Sequence, residues 1–437
     1  MVLPVLAVLL AGCGSGSNDA PAVAASPPAP AAPTPAPPPV AARGALLASA
    51  PVAVLDAAAL DQRLQLTGLS ALAGPSRCGA ELVSIRYQSI GPRGEPAELT
   101  GAALLPVGAG CAGPFQLASY SRGTDLSKAR TMADAADTET GLVAALLTGR
   151  GIAVVASDYL GYAGSTWPRH PYLHADSEAS AAIDALRAMR ALAASRAIAL
   201  DPRVHPIGYS QGGHASLATQ ARLEQLPAEF TVGGGAHLSG PHDLVLSLQK
   251  AVDALPLGDL GSTYYVPFAI TGLQGVYGNL YSEPGAFFRQ PYAATIESLF
   301  PGTASVGDLL QQNRLPLLLS DLITDAFVAA VRDPASPLSV ALAANASYRF
   351  TPRNPVLLCG GRRDPVVDFD NTRAAAAALA ATAGAAVTVI DVEQVAAYQP
   401  FLRSGALPAI RTDYHARTVP PLCLLSAREG LAALAGQ

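Results

Sequence analysis

The stretch "HPIGYSQGGHA", residues 205–215, predicts a sharp turn between a β-strand and an α-helix. Its residues 208–212 match the pattern G-x-S-x-G, in which a strand ends at a serine and a helix begins directly after it. A side chain at either glycine would collide with the neighbouring strand or helix. We therefore expect Ser210 in a strained conformation, with its hydroxyl above the edge of a sheet. A glycine-rich turn without chemistry is the alternative that the rest of the chain must decide.

Pro206 departs from this pattern because it lies inside the expected strand. A proline in a central strand removes one hydrogen-bond donor from the ladder. Either the strand begins only at Ile207, or the missing N–H faces a gap in the sheet.

The composition indicates a globular protein that does not bind nucleic acid. The chain has 437 residues, half of them apolar, and a formal charge of −5. This is enough for one large domain or two smaller ones. There is no run of basic residues, so nucleic acid is not an expected partner.

The N-terminus has the features of an export signal. Residues 1–12 are mostly apolar but too few to span a bilayer. Residues 10–13, "LAGC", resemble the bacterial lipobox, which implies cleavage before Cys13 and a lipid on its thiol. Because no Lys or Arg precedes the apolar run, an ordinary secretory signal is the alternative. We predict a lipoprotein of the cell envelope, anchored to a membrane at Cys13.

Residues 13–43 are rich in proline and alanine and have little to bury. Such a sequence predicts an extended, semi-rigid tether between the anchor and a folded domain that starts at residue 44.

Four cysteines remain if Cys13 carries a lipid, and an even number in an exported protein suggests two disulfides. Three pairings are possible. We favour Cys78–Cys111, both near the first strands, and Cys359–Cys423, which would join a late strand to the last helix. Cysteine as a metal ligand is the alternative, but the chain has no C-x-x-C pair, so no metal site is expected.

Strand-like and helix-like segments alternate along the folded part, which predicts an α/β fold. Its short apolar runs suit strands that are covered on both faces of a mostly parallel sheet. The predicted strands are residues 80–90, 97–107, 114–121, 151–161, the strand before Ser210, 230–240, 355–364 and 386–392. The predicted helices are residues 134–148, 176–195, 214–225, 371–383 and 424–434.

Residues 241–354 break this alternation and predict short helices with little strand character. An insertion here would lie over the carboxyl edge of the sheet, where ligands bind in open α/β folds. We predict a helical cap. Its aromatic residues suggest an apolar acyl or aromatic substrate, although any one of them is as readily explained by packing within the cap. They are Tyr264, Tyr265, Phe268, Tyr277, Tyr281, Phe287 and Phe288.

A serine nucleophile needs a base to accept its proton and an acid to hold that base. In α/β-hydrolases these residues follow in the order Ser, Asp or Glu, His. Asp364 comes shortly after an apolar run, where a carboxylate at a strand tip would reach the edge that carries Ser210. His415 is the only histidine that follows it. We predict these three residues as the catalytic triad.

Other residues compete for the same roles. Asp368 and Asp370 lie nearer to the next helix, where Asp370 suits an N-cap. The alternative base is His242, with Asp243 beside it.

An ester hydrolase also stabilises the oxyanion, usually with two backbone N–H groups. One should belong to Gln211, directly after the serine. The second should come from the loop "SYSRGTD", residues 119–125, where the pattern His-Gly-x of many α/β-hydrolases would make Thr124 the donor. Arg122 stands where that histidine would be, so this assignment is open by one or two residues.

Taken together, six motifs resemble the secretory lipase family of α/β-hydrolases. They are "GYSQGGHA", "SDYLGYAGS", "HPYLHADSEA", "GPHDL", "GRRDPVV" and the late "DYHA" followed by a cysteine. The resemblance covers residue 44 to the C-terminus. It implies an α/β-hydrolase fold with a helical cap, no cofactor, and hydrolysis of carboxylic esters by a Ser/Asp/His triad, here Ser210, Asp364 and His415.

The expected substrate is a small-molecule or lipid ester, and the expected state is a monomer. Three other functions fit the same residues: an envelope acyltransferase, a peptidase of the prolyl-oligopeptidase type, and a non-catalytic surface lipoprotein.

Overall fold

The computed structural model describes residues 41–259, 261–382, 384–403 and 414–435. The predicted signal peptide, Cys13 and most of the predicted tether lie outside these residues. Within the described ranges, no helix has the length and apolarity that crossing a membrane requires.

In the part of the chain that the structure describes, ten strands form one mixed sheet in the order β1-β2-β3-β5-β4-β6-β8-β9-β10, and the short β7 pairs with β6. The strands are β1 Leu46–Leu55, β2 Gly79–Ile90, β3 Pro96–Val107, β4 Phe115–Ser121, β5 Ile152–Ser157, β6 Leu200–Tyr209, β7 Thr231–Val232, β8 Gly235–Leu238, β9 Val356–Gly360 and β10 Val387–Asp391. In this order, every pair of neighbouring strands from β5-β4 to β9-β10 is parallel, as is the pair of β7 with β6. The strands β1, β2 and β3 form an antiparallel end, and β3 is also antiparallel to β5. Every parallel strand therefore ends at one edge of the sheet.

Fifteen α-helices occur in the described residues. They are α1 Ala57–Leu66, α2 Ser70–Ala73, α3 Thr138–Leu146, α4 Ala175–Ser195, α5 Gln211–Leu223, α6 Leu244–Asp253, α7 Ser262–Tyr277, α8 Pro284–Phe287, α9 Val306–Gln311, α10 Leu319–Leu322, α11 Asp325–Arg332, α12 Pro337–Ala344, α13 Phe369–Ala380, α14 Gln399–Arg403 and α15 Val419–Ala435. A single π-helical turn, Tyr414–Thr418, leads into α15.

Helices cover both faces of the sheet, which explains the continuous apolar run of β5. Alternate side chains of a strand point to opposite faces. Ala153 and Val155 pack with α4 and α5 on one face. Ile152, Val154 and Ala156 pack with α1, α3 and α15 on the other. The predicted α/β fold with helices on both faces is therefore confirmed.

Pro206 lies within β6, and its missing N–H faces a gap. The carbonyl of Val204 accepts a hydrogen bond from the N–H of Gly233, on the side of β7 and β8. Residues two apart in a strand face the same neighbour, so the nitrogen of Pro206 points to that side as well. There β7 ends at Val232 and β8 begins only at Gly235. The proline therefore removes no ladder hydrogen bond.

The predicted strand 230–240 was wrong in its continuity, since it consists of the separate strands β7 and β8. The interruption is at the glycine pair 233–234, where the chain leaves the sheet. Strand β1 and helix α1 were not predicted. The strand β1 is mostly exposed, so it lacks a clear apolar alternation.

Residues 241–354 lie between β8 and β9 and contain the seven helices from α6 to α12. Many of their aromatic side chains pack against each other rather than against a cavity. The ring of Phe287 contacts those of Tyr281 and Phe327 at centroid distances of 5.4 Å each. Phe268 also packs outside the segment, where its ring stacks on that of Tyr172, in the loop after β5, at a centroid distance of 4.3 Å.

The structure contains both of the favoured disulfides. Cys78–Cys111 joins the start of β2 to the segment between β3 and β4. Cys359–Cys423 joins β9 to α15 across 64 residues of sequence. The second disulfide thus connects the strand before Asp364 to the helix that follows His415.

Candidate active site

Ser210 stands between the last residue of β6 and the first residue of α5, as the motif predicts. Its backbone angles are φ 57° and ψ −123°, which few residues with a side chain adopt. Its N–H is held by the carbonyl of Leu238, the last residue of β8, at 2.8 Å. The strand, the sharp turn and this contact together set the hydroxyl at the carboxyl edge of the sheet.

The glycines of the motif allow three pieces of backbone to meet. A Cβ at Gly208 would lie 2.0 Å from the carbonyl oxygen of Gly212 and 2.9 Å from the Cβ of Ser121. A Cβ at Gly212 would lie 1.8 Å from the carbonyl oxygen of Ser121. Either side chain would therefore force α5 away from β4.

The structure brings together Ser210, His415 and Asp364, which are far apart in sequence. Nε2 of His415 lies 2.9 Å from Oγ of Ser210. Nδ1 of the same ring lies 2.7 Å from Oδ2 of Asp364. The hydroxyl, the imidazole and the carboxylate therefore form one continuous chain of hydrogen bonds, in the arrangement that activates a serine nucleophile.

Three further hydrogen bonds hold Asp364 as a carboxylate. Oδ2 accepts a hydrogen bond from Oγ of Ser239 at 2.7 Å. Oδ1 accepts the N–H groups of Val366 and Val367 at 3.0 and 3.1 Å. Burial raises the pKa of Asp364, but the charge of His415 and these hydrogen bonds outweigh it and lower the pKa below its usual value.

Two supporting residues were not predicted from the sequence. The Ser239 hydroxyl bonds the acid of the triad, and the Tyr209 hydroxyl donates to the backbone carbonyl of His415. Tyr209 is the first variable residue of G-x-S-x-G, but that pattern alone does not indicate its partner. Ser239 directly follows β8, and a serine at a strand end was the one available signal.

The two predicted oxyanion donors lie on adjacent backbone segments. The carbonyl oxygens of Ser121 and Arg122 both approach Gly212, so the loop after β4 lies against the start of α5. The N–H of Gly123 is already used, since it donates to Oε1 of Glu139 at 2.8 Å. Across the described residues, the N–H groups of Thr124 and Gln211 have no acceptor.

Arg122, which departs from the expected histidine, is buried beneath this loop. Its Nη1 donates to the carbonyl of Gly123 at 2.9 Å, and its Nη2 donates to the carbonyl of Asp158 at 3.1 Å. The guanidinium lies 4.1 Å from the ring centroid of Tyr162, a cation–π distance. The carbonyl of Gly123 and the N–H of Thr124 belong to one peptide group, so this contact fixes the direction of that N–H.

The competing acids have structural roles. Asp368 caps α13, and both Asp368 and Asp370 form ion pairs with Lys250 at 2.7 and 2.6 Å. The expectation that Asp370 is the N-cap was wrong by two residues, because the chain enters the helix earlier than its apolar pattern suggests.

The competing base is also placed elsewhere. His242 is fully buried, and its Nδ1 contacts Oγ of Ser347 at 3.1 Å. Burial and the nearby His237 and His214 hold its pKa well below the usual value. Asp243 caps α6 and accepts a hydrogen bond from Tyr348.

Ser210 lines a cavity of about 80 Å³ between the sheet edge and residues 241–354. Its walls come from α6, α7 and the loops after β5 and β9, and its apolar lining includes Leu244, Leu248, Val266 and Val367. Of the seven aromatic residues of the predicted cap, Tyr265 alone lines this cavity in the described structure. Asp259 adds a carboxyl group, whose pKa is raised by burial and by the charge of Asp368.

Comparisons with known proteins agree with this fold. The sequence model of the secretory lipase family matches residues 125–282. No curated protein sequence matches the chain. The crystal structure of the rice cell wall degrading esterase LipA from Xanthomonas oryzae is 30% identical, with a TM-score of 0.78, over 90% of this chain and 99% of that one.

A more distant structure shows the same fold. Candida antarctica lipase A is 17% identical over 90% of each chain, with a TM-score of 0.56. The esterase from Xanthomonas oryzae, which this chain covers almost entirely, and the family match decide the assignment. The chain belongs to the secretory lipase family of α/β-hydrolases and is a carboxylic ester hydrolase.

Proposed function

We propose that the protein cleaves carboxylic esters through an acyl-enzyme on Ser210. The observation that carries this proposal is the pair of hydrogen bonds of 2.9 and 2.7 Å that joins Ser210, His415 and Asp364. Oγ of Ser210 forms a bond to the ester carbonyl carbon while Nε2 of His415 takes its proton. The bond to the alcohol oxygen then breaks, and His415 returns the proton to the departing alcohol.

Water completes the reaction by the same route in reverse. His415 takes a proton from a water molecule, which attacks the acyl carbon. The bond between that carbon and Oγ of Ser210 then breaks, and His415 returns the proton to Oγ as the acid leaves. Asp364 stays ionised throughout. It holds the imidazole in the tautomer with a proton on Nδ1 and stabilises the imidazolium that forms twice in each cycle.

The N–H groups of Gln211 and Thr124 are the proposed oxyanion donors. Both are without an acceptor among the described residues, and the loop and helix that carry them are in contact. Such donors act strongly because they are oriented before the charge develops on the substrate oxygen.

The cavity favours a short acyl group. The cavity of about 80 Å³ has mainly apolar walls and is small compared with a long fatty acyl chain. We infer that acetyl to butyryl esters fit without rearrangement, whereas a long fatty acyl chain requires residues 241–354 to move.

The family and the two disulfides point to a secreted protein. We propose further that Cys13 carries a lipid and that residues 13–43 are the tether to it. The described chain enters the sheet at β1, and Leu46 pairs with Tyr87 near the end of β2. That end of β1 lies at the sheet edge at which β6 presents Ser210.

The test of this function is a rate profile over p-nitrophenyl esters from acetate to palmitate. We expect kcat/KM to be highest from acetate to butyrate and to fall steeply beyond hexanoate. Ser210→Ala should remove the activity, and Ser216→Ala is the matched control, because Ser216 lies six residues further along the chain, in α5, and is fully buried. Undiminished turnover by Ser210→Ala would contradict the proposal. A Cys13→Ser variant that still partitions into detergent would contradict the lipid anchor.

In the described structure, no observation favours the acyltransferase, the peptidase or the non-catalytic alternative over hydrolysis.

A further inference from the structure

A buried polar network lies behind Ser210, and the proposed reaction does not use its side chains. It consists of His170, Glu178, Gln211 and His214, which are at most 1% exposed. All four come from the motifs "HPYLHADSEA" and "GYSQGGHA". Burying polar groups costs free energy unless they are hydrogen-bonded. The hydrogen bonds within this network therefore show what each of its side chains does.

Two acceptors hold the side-chain amide of Gln211. Its Nε2 lies 2.8 Å from Oε1 of Glu178 and 2.6 Å from Nε2 of His170. Nδ1 of His170 lies 2.9 Å from the carbonyl of Leu160, so it carries the ring proton and leaves Nε2 as an acceptor. Burial, and then the charge of Arg122, lower the pKa of His170 to about 3, which keeps this ring neutral. Both amide protons of Gln211 are therefore used.

Glu178 is held in turn by His214. Nδ1 of His214 lies 2.8 Å from Oε2 of Glu178, and its Nε2 lies 2.7 Å from the carbonyl of Asn345. Because both ring nitrogens face acceptors, the pair shares a proton: either His214 is charged beside a carboxylate, or Glu178 donates to Nδ1. In both forms the pair has no net charge, which lowers the cost of burying it.

The position of Gln211 links this network to the reaction. It is the first residue of α5 and follows Ser210 directly, and its N–H is one of the two proposed oxyanion donors. The side chain that the network holds and the N–H that the reaction needs are joined at one Cα. The amide oxygen of Gln211, Oε1, has no partner among the described residues, so the amide is held by its nitrogen alone.

We propose that Glu178 is a positioning residue, which fixes the oxyanion donor of Gln211 through the side-chain amide of that residue. This inference rests on the proposed function. Glu178 touches no reacting atom. Its carboxylate orients the Gln211 amide. His214 holds that carboxylate through Nδ1, and its other ring nitrogen, Nε2, contacts the carbonyl of Asn345, directly after α12.

A role in packing alone makes a different prediction. Loss of Glu178 would then lower the stability of the fold and leave the folded enzyme with its normal kcat. A positioning role affects the transition state selectively, since only interactions that strengthen there change kcat without changing KM.

Three variants separate these outcomes. Glu178→Leu leaves one acceptor for the Gln211 amide and none for Nδ1 of His214. Glu178→Gln keeps every bond, because its oxygen accepts from Gln211 and its amide donates to Nδ1 of a neutral His214. Gln211→Ala removes the held side chain and leaves the pair of Glu178 and His214 intact, so it tests the link even if Glu178→Leu does not fold.

The experiment measures kcat and KM for p-nitrophenyl acetate, and the inhibition constant of an alkyl trifluoromethyl ketone that forms a tetrahedral adduct with a serine. For Glu178→Leu and Gln211→Ala we expect kcat to fall about 10- to 100-fold, less than the 10²–10³ lost when an oxyanion donor is removed. KM should stay within about twofold, and the inhibition constant should rise by the factor lost in kcat. Glu178→Gln should stay within about threefold of the unaltered enzyme.

A normal kcat and inhibitor affinity in folded Gln211→Ala would overturn the proposal. So would a double variant whose loss is the product of the two single losses, since residues that act through one another are not additive. Full activity of Ser210→Ala would instead contradict the proposed function, so the two failures are distinguishable.

Discussion

The hydroxyl of Ser239 donates a 2.7 Å hydrogen bond to Oδ2 of Asp364, the same oxygen that lies 2.7 Å from Nδ1 of His415. One carboxylate oxygen therefore serves both the base of the triad and a buried serine at the end of β8. The other oxygen is occupied by backbone N–H groups. This arrangement leaves the carboxylate of Asp364 one orientation, which in turn fixes the orientation of the His415 imidazole.

Replacing the acid should cost far more than replacing its supporting serine. Asp364→Asn keeps the shape but allows the amide to select the wrong tautomer of His415, so we expect kcat to fall about 10⁴-fold. Ser239→Ala removes one hydrogen bond to a charged group and should lower kcat about tenfold. Steady-state hydrolysis of p-nitrophenyl acetate measures both. Equal losses for the two variants would contradict the assigned roles.

The depressed pKa of Asp364 predicts a specific dependence of stability on pH. A carboxylate whose pKa is lower in the folded state stabilises that state above its unfolded pKa of about 3.9, and this contribution disappears as the pH falls through the folded pKa. The difference in free energy of unfolding between the unaltered protein and Asp364→Asn should therefore shrink as the pH falls below about pH 4.

Urea unfolding at pH 7, 4 and 3 measures this difference. The exposed Asp321 provides a control, since Asp321→Asn should match the unaltered protein at each pH. A difference for Asp364→Asn that grows at pH 3 would have the wrong sign for a depressed pKa.

Gly212, two residues after Ser210, should tolerate replacement by alanine far less well than Gly275 in α7. A Cβ at Gly212 would lie 1.8 Å from a carbonyl oxygen, whereas a Cβ at Gly275 meets nothing within 4 Å. We expect Gly212→Ala to lose about 3 kcal/mol or more of the free energy of unfolding, as large steric changes in a core do. Gly275→Ala should gain about 0.5–1 kcal/mol, because alanine suits a helix interior better.

Denaturant midpoints and activity together check this contrast. If Gly212→Ala unfolded at the same denaturant concentration as the unaltered protein, the close approach of α5 and β4 would not hold.

The cavity beside Ser210 should set the preferred acyl length. Leu248 lines it from α6. Leu248→Ala should enlarge it and shift the maximum of the rate profile from short esters toward hexanoate or octanoate, with a stability loss of about 2–5 kcal/mol. Leu66→Ala is the control, since Leu66 lies on α1 and is 82% exposed. An unchanged profile in Leu248→Ala would show that the acyl group binds elsewhere.

Much of the fold and the placement of three site residues could be predicted because each depends on local pattern or chain order. Helix α4 has a clear apolar periodicity, and it was placed within one residue of its observed start. Asp364 and His415 were chosen by their order and by the elements before and after them, and the structure places both beside Ser210. Their catalytic roles stay predictions.

The contacts that support the site could not be predicted, because they depend on side chains that meet only in the folded chain. The burial of Arg122 under the oxyanion loop follows from the rings of Tyr159 and Tyr162, which arrive from the loop after β5. The pairing of Glu178 with His214, which are 36 residues apart in sequence, joins α4 to α5. No spacing rule indicates either contact.

The most direct test of the central claim is the site of reaction with a fluorophosphonate, which phosphonylates an activated serine with loss of fluoride. Intact-mass and peptide mass spectrometry should show one added phosphonyl group, on the peptide that contains Ser210. The adduct should be absent from Ser210→Ala and form at least about 100-fold more slowly in His415→Ala. Equal labelling of all three proteins, or an adduct on a different serine, would contradict the account.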